Sequence, residues 1–301
     1  MTAAAGAGEE WLAALRHDLR NPPIAADAEG LAGLWSIVRI RFVCARPPLL
    51  QDHPDLSVRV RGAWGRKLAE MPSPVRRGWS LPTPYEVLFS PIDVTRGEDE
   101  LPKPAILRAS LEGEFLIVDL SVFGHAAVFA DAAADALGAA LREGISLLDG
   151  ARRQRVSVTV LDAGESAIAL VDWNRSADTA TLRFRTPLCI RQRATTRISP
   201  ESVLPAVWRR VRALAPWMGV RLTDPPAPTQ QSSFSDEFLP VSWKRYSQRQ
   251  GDMPIPMDGV VGSMTVRGGL HPHLPVLAMA ETANIGSHAA LGLGWYDLIA
   301  Y

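Results

Sequence analysis

Two stretches of this chain repeat one another at a constant offset of 144 residues. Arg39-Ile40-Arg41 returns as Arg183-Phe184-Arg185, and Trp64-x-Arg66 returns as Trp208-x-Arg210. In the first copy Val38, Ile40, Phe42 and Cys44 alternate with Arg39 and Arg41, the two-residue period of a strand with one apolar face. In the second, Leu182, Phe184 and Leu188 alternate with Arg183 and Arg185. Each strand is followed at the same distance by a helical stretch carrying Trp-x-Arg. An internal duplication of this length restricts the fold to two alike modules, each closing its own core. A chain of 301 residues has room for both.

Around these anchors the patterning predicts the same order twice. A short N-terminal helix (Glu9 to Leu19) precedes a strand at Ile37–Cys44, a helix at Val58–Met71 and a strand at Tyr85–Phe89. A hairpin then turns at Glu112-Gly113-Glu114, a helix covers Ala126–Leu148 and a strand covers Val156–Leu161. The second copy has a strand at Thr181–Ile190, a helix opened by Ser199-Pro200-Glu201, strands at Phe238–Gln248 and Val260–Gly268, a helix at Pro272–Thr282 and a strand at Gly294–Ile299. The expected fold is α+β: tandem ferredoxin-like, RRM-like domains with antiparallel sheets and a C-terminal glycine-rich loop. The expected division is an extension at 1–34, a first domain at 35–172 and a second at 179–301.

Charge is segregated although the formal net charge is zero. From Ser57 to Ser80, Arg59, Arg61, Arg66, Lys67, Arg76 and Arg77 face Glu70 alone. From Arg183 to Arg221 nine arginines face Glu201 alone, whereas Glu86 to Asp149 holds twelve acids against four bases. Such blocks suit a polyanion on one face and solvent on another. Mean hydropathy of +0.01 and the lack of a long apolar run predict no membrane span. The N-terminus lacks a basic start and apolar core, so no secretory signal is expected and the chain reads as cytosolic. Cys44 and Cys189 read as reduced core thiols.

The most specific segment is Gly259 to Tyr296. It contains Gly259-Val260-Val261-Gly262, then Gly268-Gly269, and ends Ile285-Gly286-Ser287-His288-Ala289-Ala290-Leu291-Gly292-Leu293-Gly294-Trp295-Tyr296. Glycines at 286, 292 and 294 would let a backbone loop lie close to a ligand and offer its N–H groups to phosphate. Set between the last helix and last strand of a tandem ferredoxin-like chain, this loop resembles the glycine-rich loop of the RAMP superfamily. In particular it is similar to that of the CRISPR precursor-RNA-processing endoribonucleases. Thr181-Leu182-Arg183-Phe184-Arg185-Thr186-Pro187-Leu188 resembles the phenylalanine-threonine-proline-leucine strand that opens their second domain. The likeness covers about residues 35 to 301. It departs where the family often carries histidine and lysine around the hydrophobic-Gly pair; here Asn284 and Ser287 stand there, with His288 one place on.

The resemblance implies an endoribonuclease cleaving CRISPR repeat RNA to mature crRNA without metal or other cofactor. A ribose 2′-OH would attack the adjacent phosphate, leaving 2′,3′-cyclic phosphate and 5′-OH ends. No HxxxH or paired CxxC spacing suggests a metal site. Reactive groups in the family lie on or near the first helix of the first module, which directs attention to His53, Lys67 and Arg66. A histidine side chain can take up and give off a proton near neutral pH, as a proton shuttle must. Lys67 falls on the arc of Val60, Ala63, Trp64, Leu68 and Met71, where desolvation would lower its pKa. Candidate RNA-binding residues are Arg59, Arg61, Arg76, Arg77, Arg209, Arg210, Arg212, Lys244 and Arg245, with Gly286, Ser287, His288, Gly292 and Gly294 of the loop. His271 and His273 read as capping groups at a helix start. Expected partners are repeat RNA or crRNA and other CRISPR effector subunits. The rival reading is a non-catalytic subunit that holds the repeat handle.

Overall fold

The computed structural model describes residues 3–72, 75–76, 79–80, 82–90, 95–96, 99–149, 152–168, 172–190, 198–223, 232–246 and 254–301. The chain opens with α1 (Ala3–Arg20), β1 (Ile24–Ala26) and α2 (Ala28–Leu34). The first module then runs β2 (Ile37–Ala45) and α3 (Leu56–Glu70), the two-residue strands β3 (Val75–Arg76) and β4 (Trp79–Ser80), α4 (Pro84–Leu88), and β5 (Thr95–Arg96) with β6 (Asp99–Glu100). It continues with β7 (Ala105–Glu112), β8 (Phe115–Phe123), α5 (Ala130–Glu143), the hairpin β9 (Ile145–Asp149) and β10 (Arg152–Val156), and β11 (Val160–Ile168). The second module has β12 (Thr179–Leu188), α6 (Val203–Leu214), β13 (Val220–Leu222), β14 (Ser233–Asp236), β15 (Leu239–Tyr246), β16 (Pro254–Arg267), α7 (Leu274–Ala283) and β17 (Tyr296–Ala300).

The first sheet has the order β11-β2-β8-β7, all antiparallel. Its first and third strands are central, its second and fourth are edges, and α3 and α5 provide the crossovers. The second sheet repeats the order as β17-β12-β16, with β14 and β15 sharing the far edge of β16. Both are ferredoxin-like sheets. The repeated sequence occupies matching places: Arg39 to Arg41 lie on β2 and Arg183 to Arg185 on β12, the first strand of each sheet. Trp64 Nε1 donates to Ala133 O of α5 at 3.0 Å, and Trp208 Nε1 donates to His273 Nδ1 at the start of α7 at 2.9 Å. In both modules the first helix is tied to the second through its tryptophan.

One continuous core runs through both modules. The extension stitches them together: β1 pairs in parallel with β13, and Trp35 Nε1 donates to Thr282 Oγ1 in α7 at 3.1 Å. Trp217, beyond α6, donates from Nε1 to Pro102 O at 3.1 Å. No described helix is long and apolar enough to cross a membrane.

Three elements differ from the sequence reading. Tyr85–Phe89, read as a strand from its aromatic and β-branched residues, is helical. Thr83 and Glu86 form a reciprocal capping box with Pro84 at the first turn, and that local signal prevails. The helix expected over Ala126–Leu148 ends at Glu143, where Gly144 turns the chain into the β9–β10 hairpin. The strand expected at Val156–Leu161 is β11, several residues further on.

Candidate active site

Helix α3 begins unusually. Asp55 stands at its N-cap position but makes no side-chain bond to the helix amides. Its carboxylate is instead taken by two side chains: Arg59 Nε approaches Oδ1 at 2.9 Å, one turn along the helix, and His53 Nδ1 meets the same oxygen. The Asp55 carboxylate is buried, at 6% side-chain exposure, whereas His53 is 43% exposed. Nδ1 faces both this carboxylate and the Asp55 backbone N–H, 3.2 Å away; the charged acceptor is the stronger partner and favours a neutral ring with its proton on Nδ1. Nε2 is then the lone-pair nitrogen, on a ring nearly half open to solvent. A buried carboxylate that orients an exposed imidazole beside a guanidinium can move a proton at Nε2 and stabilise developing negative charge.

The glycine-rich loop closes against this helix start. Gly292 has φ +83°, and a Cβ there would stand 2.4 Å from Ser57 Cβ and 2.6 Å from Leu107 O. Ser57, two residues beyond Asp55, accepts a hydrogen bond at Oγ from Ala109 N at 2.9 Å. The sequence reading gave the loop amides to phosphate; the structure spends many of them within the protein. Ser287 N donates to Cys189 O, Gly294 N to Pro187 O, Ile285 N to Gly294 O, Gly292 N to Ala289 O and Trp295 N to Thr186 Oγ1. A Cβ at Gly286 would strike Cys189 O and one at Gly294 would strike Ile285 O. Gly286, Gly292 and Gly294 therefore allow close packing of the loop on its own protein. Ser287 is exposed and His288 half-buried.

Residues 182–296, from β12 through the loop into β17, match the family model of the CRISPR-associated endoribonuclease Cas6. Over this span the second module is similar in sequence to that family. The match covers under half of the chain and leaves the first module outside it. No curated protein sequence matches. Among solved structures, a Cas6 product complex has 14% identity and a TM-score of 0.47, over 88% of this chain and 99% of that one. A RAMP protein binding different RNA substrates has 12% identity and a TM-score of 0.47, over 88% and 99%. A Cas6b crystal structure has 10% identity and a TM-score of 0.46, over 88% and 100%.

In the second module the arginine helix α6 is two-sided. Arg209 is exposed and Arg212 half-buried, but Arg210 points inward, its Nε donating to Ala283 O at 3.0 Å. Burial lowers its pKa to about 10. Arg210 is thus removed from the RNA-binding set: a guanidinium sealed in the core reaches no phosphate. On β15 Lys244 is exposed and Arg245 half-buried.

In the first module Lys67 and Arg66 are not brought to His53. They lie about 15 Å of helix rise away, at the other end of α3. Lys67 is also the reverse of the desolvated lysine expected. Hydrogen bonds to Glu143 and Glu70 raise its pKa, with Glu70 Oε2 at 2.8 Å. The expectation of a lowered catalytic value is overturned, because two carboxylates hold the ammonium charged. Arg61 lies over the Phe89 ring, 4.0 Å from its centroid. The Arg76 backbone is in β3, with nothing described of its side chain, and Arg77 lies outside the described residues.

Sequence reasoning missed Arg108, and it read Asp55 only as one of two acids, with Asp52, that flank His53 and could orient it or equally make an ordinary solvated loop. Arg108, on β7, donates from Nε to Asn284 Oδ1 at 2.8 Å and from Nη2 to Glu281 O, joining the first module to the end of α7. Desolvation, with repulsion from Arg39, lowers its pKa to about 10. Asp55 carried a readable signal: an acid four residues before Arg59 and two after His53 can pair with both.

Proposed function

We propose that this chain is a metal-independent endoribonuclease that cleaves CRISPR repeat RNA and keeps hold of the mature crRNA. The observation that carries the reading is the His53–Asp55–Arg59 cluster, an exposed imidazole held by a buried carboxylate at the first helix of the first module. The similarity of residues 182–296 to the Cas6 family model supports the RNA substrate.

In the reaction the substrate 2′-oxygen attacks the adjacent phosphorus while the bond to the 5′-oxygen breaks, giving a 2′,3′-cyclic phosphate and a 5′-OH. His53 Nε2 serves the proton transfer: its neutral form accepts the 2′ proton, or its protonated form donates to the departing 5′-oxygen. Asp55 fixes the ring orientation in either case. Arg59, bonded to Asp55 through Nε, keeps its remaining guanidinium N–H groups for a phosphate oxygen. Exposed Arg209, Lys244 and Ser287, with His288 in the loop, supply contacts to the RNA backbone.

The test is single-turnover cleavage of labelled repeat RNA in EDTA at saturating protein. Wild type should yield a cyclic phosphate end, and His53→Ala should be slower by about 10² to 10⁴, the range for losing a general acid or base. Cleavage unaffected by His53→Ala removes it from the chemistry.

One observation favours the second reading, a non-catalytic subunit holding the repeat handle within an effector complex. The family's histidine and lysine positions around the loop are Asn284 and Ser287, and Asn284 is fully buried against Arg108. A stable, uncleaved complex in the same experiment selects that reading.

A further inference from the structure

We infer that the glycine-rich loop of this chain positions the proton-transfer site, with Gly292 and Ser57 as the positioning residues. This rests on the nuclease reading above for its consequence, though not for its geometry. Because Asp55 gives its carboxylate to His53 and Arg59, the first turn of α3 lacks the side-chain cap that ordinarily fixes a helix start. Its place is set from outside. Ser57 is buried at 3% exposure and hangs on Ala109 N of β7 at 2.9 Å. Gly292 fills the remaining side, against both Ser57 and the Leu107 carbonyl on the outer edge of the same strand.

Gly292 is itself held by the second module, where Thr186 Oγ1 donates to Gly292 O at 3.0 Å. Thr186 Oγ1 also accepts from Trp295 N at 3.0 Å. The contacts thus run without a gap from β12, through Thr186 and Gly292, to Ser57 and so to the turn that carries Asp55 and His53. With a positive φ and a Cβ position already claimed by Ser57 and Leu107 O, residue 292 admits no side chain unless this seat moves. Any such movement displaces the start of α3 relative to RNA bound across both modules. The loop therefore acts on the rate of cleavage through His53, and not by gripping phosphate at Gly292.

The experiment compares Gly292→Ala and Ser57→Ala with wild type for repeat RNA affinity and for single-turnover cleavage at saturating protein. Gly33→Ala, on α2 with open space at its Cβ position, is the control. Positioning predicts a cleavage rate lower by about 10- to 100-fold in Gly292→Ala, the scale of a small misplacement of reacting groups. Affinity should stay within about twofold. A weakened affinity with an unchanged rate at saturation overturns the proposal and returns Gly292 to RNA binding; no effect on either also overturns it. Should Gly292→Ala fail to fold, Ser57→Ala decides, since it removes one hydroxyl and adds no bulk. The imidazole nitrogen shifts of His53, measured by NMR without RNA, separate the two readings. If wild type binds repeat RNA without cutting it, the nuclease reading fails, and His53 shifts that move in both Gly292→Ala and Ser57→Ala still support positioning. His53 shifts identical to wild type in both variants overturn it.

Discussion

Lys67, near the end of α3, and His53, just before its start, have opposite surroundings. The lysine ammonium is clamped between Glu70 and Glu143, and its pKa is raised chiefly by the bond to Glu143. The histidine is held by one buried carboxylate and left open at Nε2. Lys67→Ala should therefore leave single-turnover cleavage within about threefold of wild type, far from the 10² expected for a lost acid or base. A loss of that larger size would return Lys67 to the chemistry. His273 shows the converse case, a histidine inside the core. Burial holds its pKa below the ordinary value of 6.5, and Trp208 Nε1 donates to its Nδ1 lone pair. The folded state refuses a proton that the unfolded chain accepts. Its contribution is thus fully present above about pH 6.5 and is lost as pH falls through the lower folded-state value. Thermal midpoints should fall between pH 7 and pH 5. In His273→Asn, whose amide oxygen can accept the indole N–H without titrating, part of that decline should vanish. A slope identical to wild type would show that His273 takes no part in the acid response.

At the scale of elements, the C-terminus of α7 gathers the two modules. A helix end leaves carbonyls without partners and a partial negative charge. Here Arg108 of β7 donates to Glu281 O, Arg210 of α6 to Ala283 O, and Thr282 Oγ1 to Met279 O. Arg108→Met should leave Asn284 Oδ1 and Glu281 O buried without that donor, costing about 2–3 kcal/mol. The urea midpoint should drop accordingly, and an unchanged midpoint would mean that this helix end needs no guanidinium. The sequence made the order of strands and helices legible, because outward arginines on period-2 strands and Trp-x-Arg helices recur at one offset. It did not reveal that α7 is capped by arginines from two other elements, since such contacts span about 70 to 180 residues and leave no local pattern. Arg210 was nonetheless readable. It stands seven and three residues after Val203 and Val207 and four before Leu214, all buried, so helical periodicity already placed it on the core face. The dense Trp-Arg-Arg-Val-Arg run made it look like one charged surface. In α4 the aromatic residues suggested a strand while the capping box, also local, specified the helix.

For the molecule as a whole, segregated charge in the sequence overstates the basic surface that folding leaves. Arg210 is sealed inside, Arg185 pairs with Asp297 at 2.5 Å, Arg41 pairs with Asp119 at 2.8 Å, and Lys67 bridges two glutamates. Cations that remain exposed, Arg209 on α6 and Lys244 on β15 among them, are the ones able to release counterions from RNA. Each phosphate contact lowers the logarithm of affinity with the logarithm of salt by about 0.7 to 0.9. Arg209→Ala and Lys244→Ala should therefore each weaken repeat RNA binding and flatten the salt dependence by about that amount, leaving thermal stability near wild type. Arg210→Met should do the reverse. It removes a buried guanidinium bonded to a helix-end carbonyl, so the folded protein should lose stability while the salt slope stays as it was. Measuring all three slopes below the melting range of each variant separates the two classes of arginine. Should Arg210→Met flatten the slope as Arg209→Ala does, α6 would have to turn Arg210 outward when RNA binds, and its bond to Ala283 O would be a resting state.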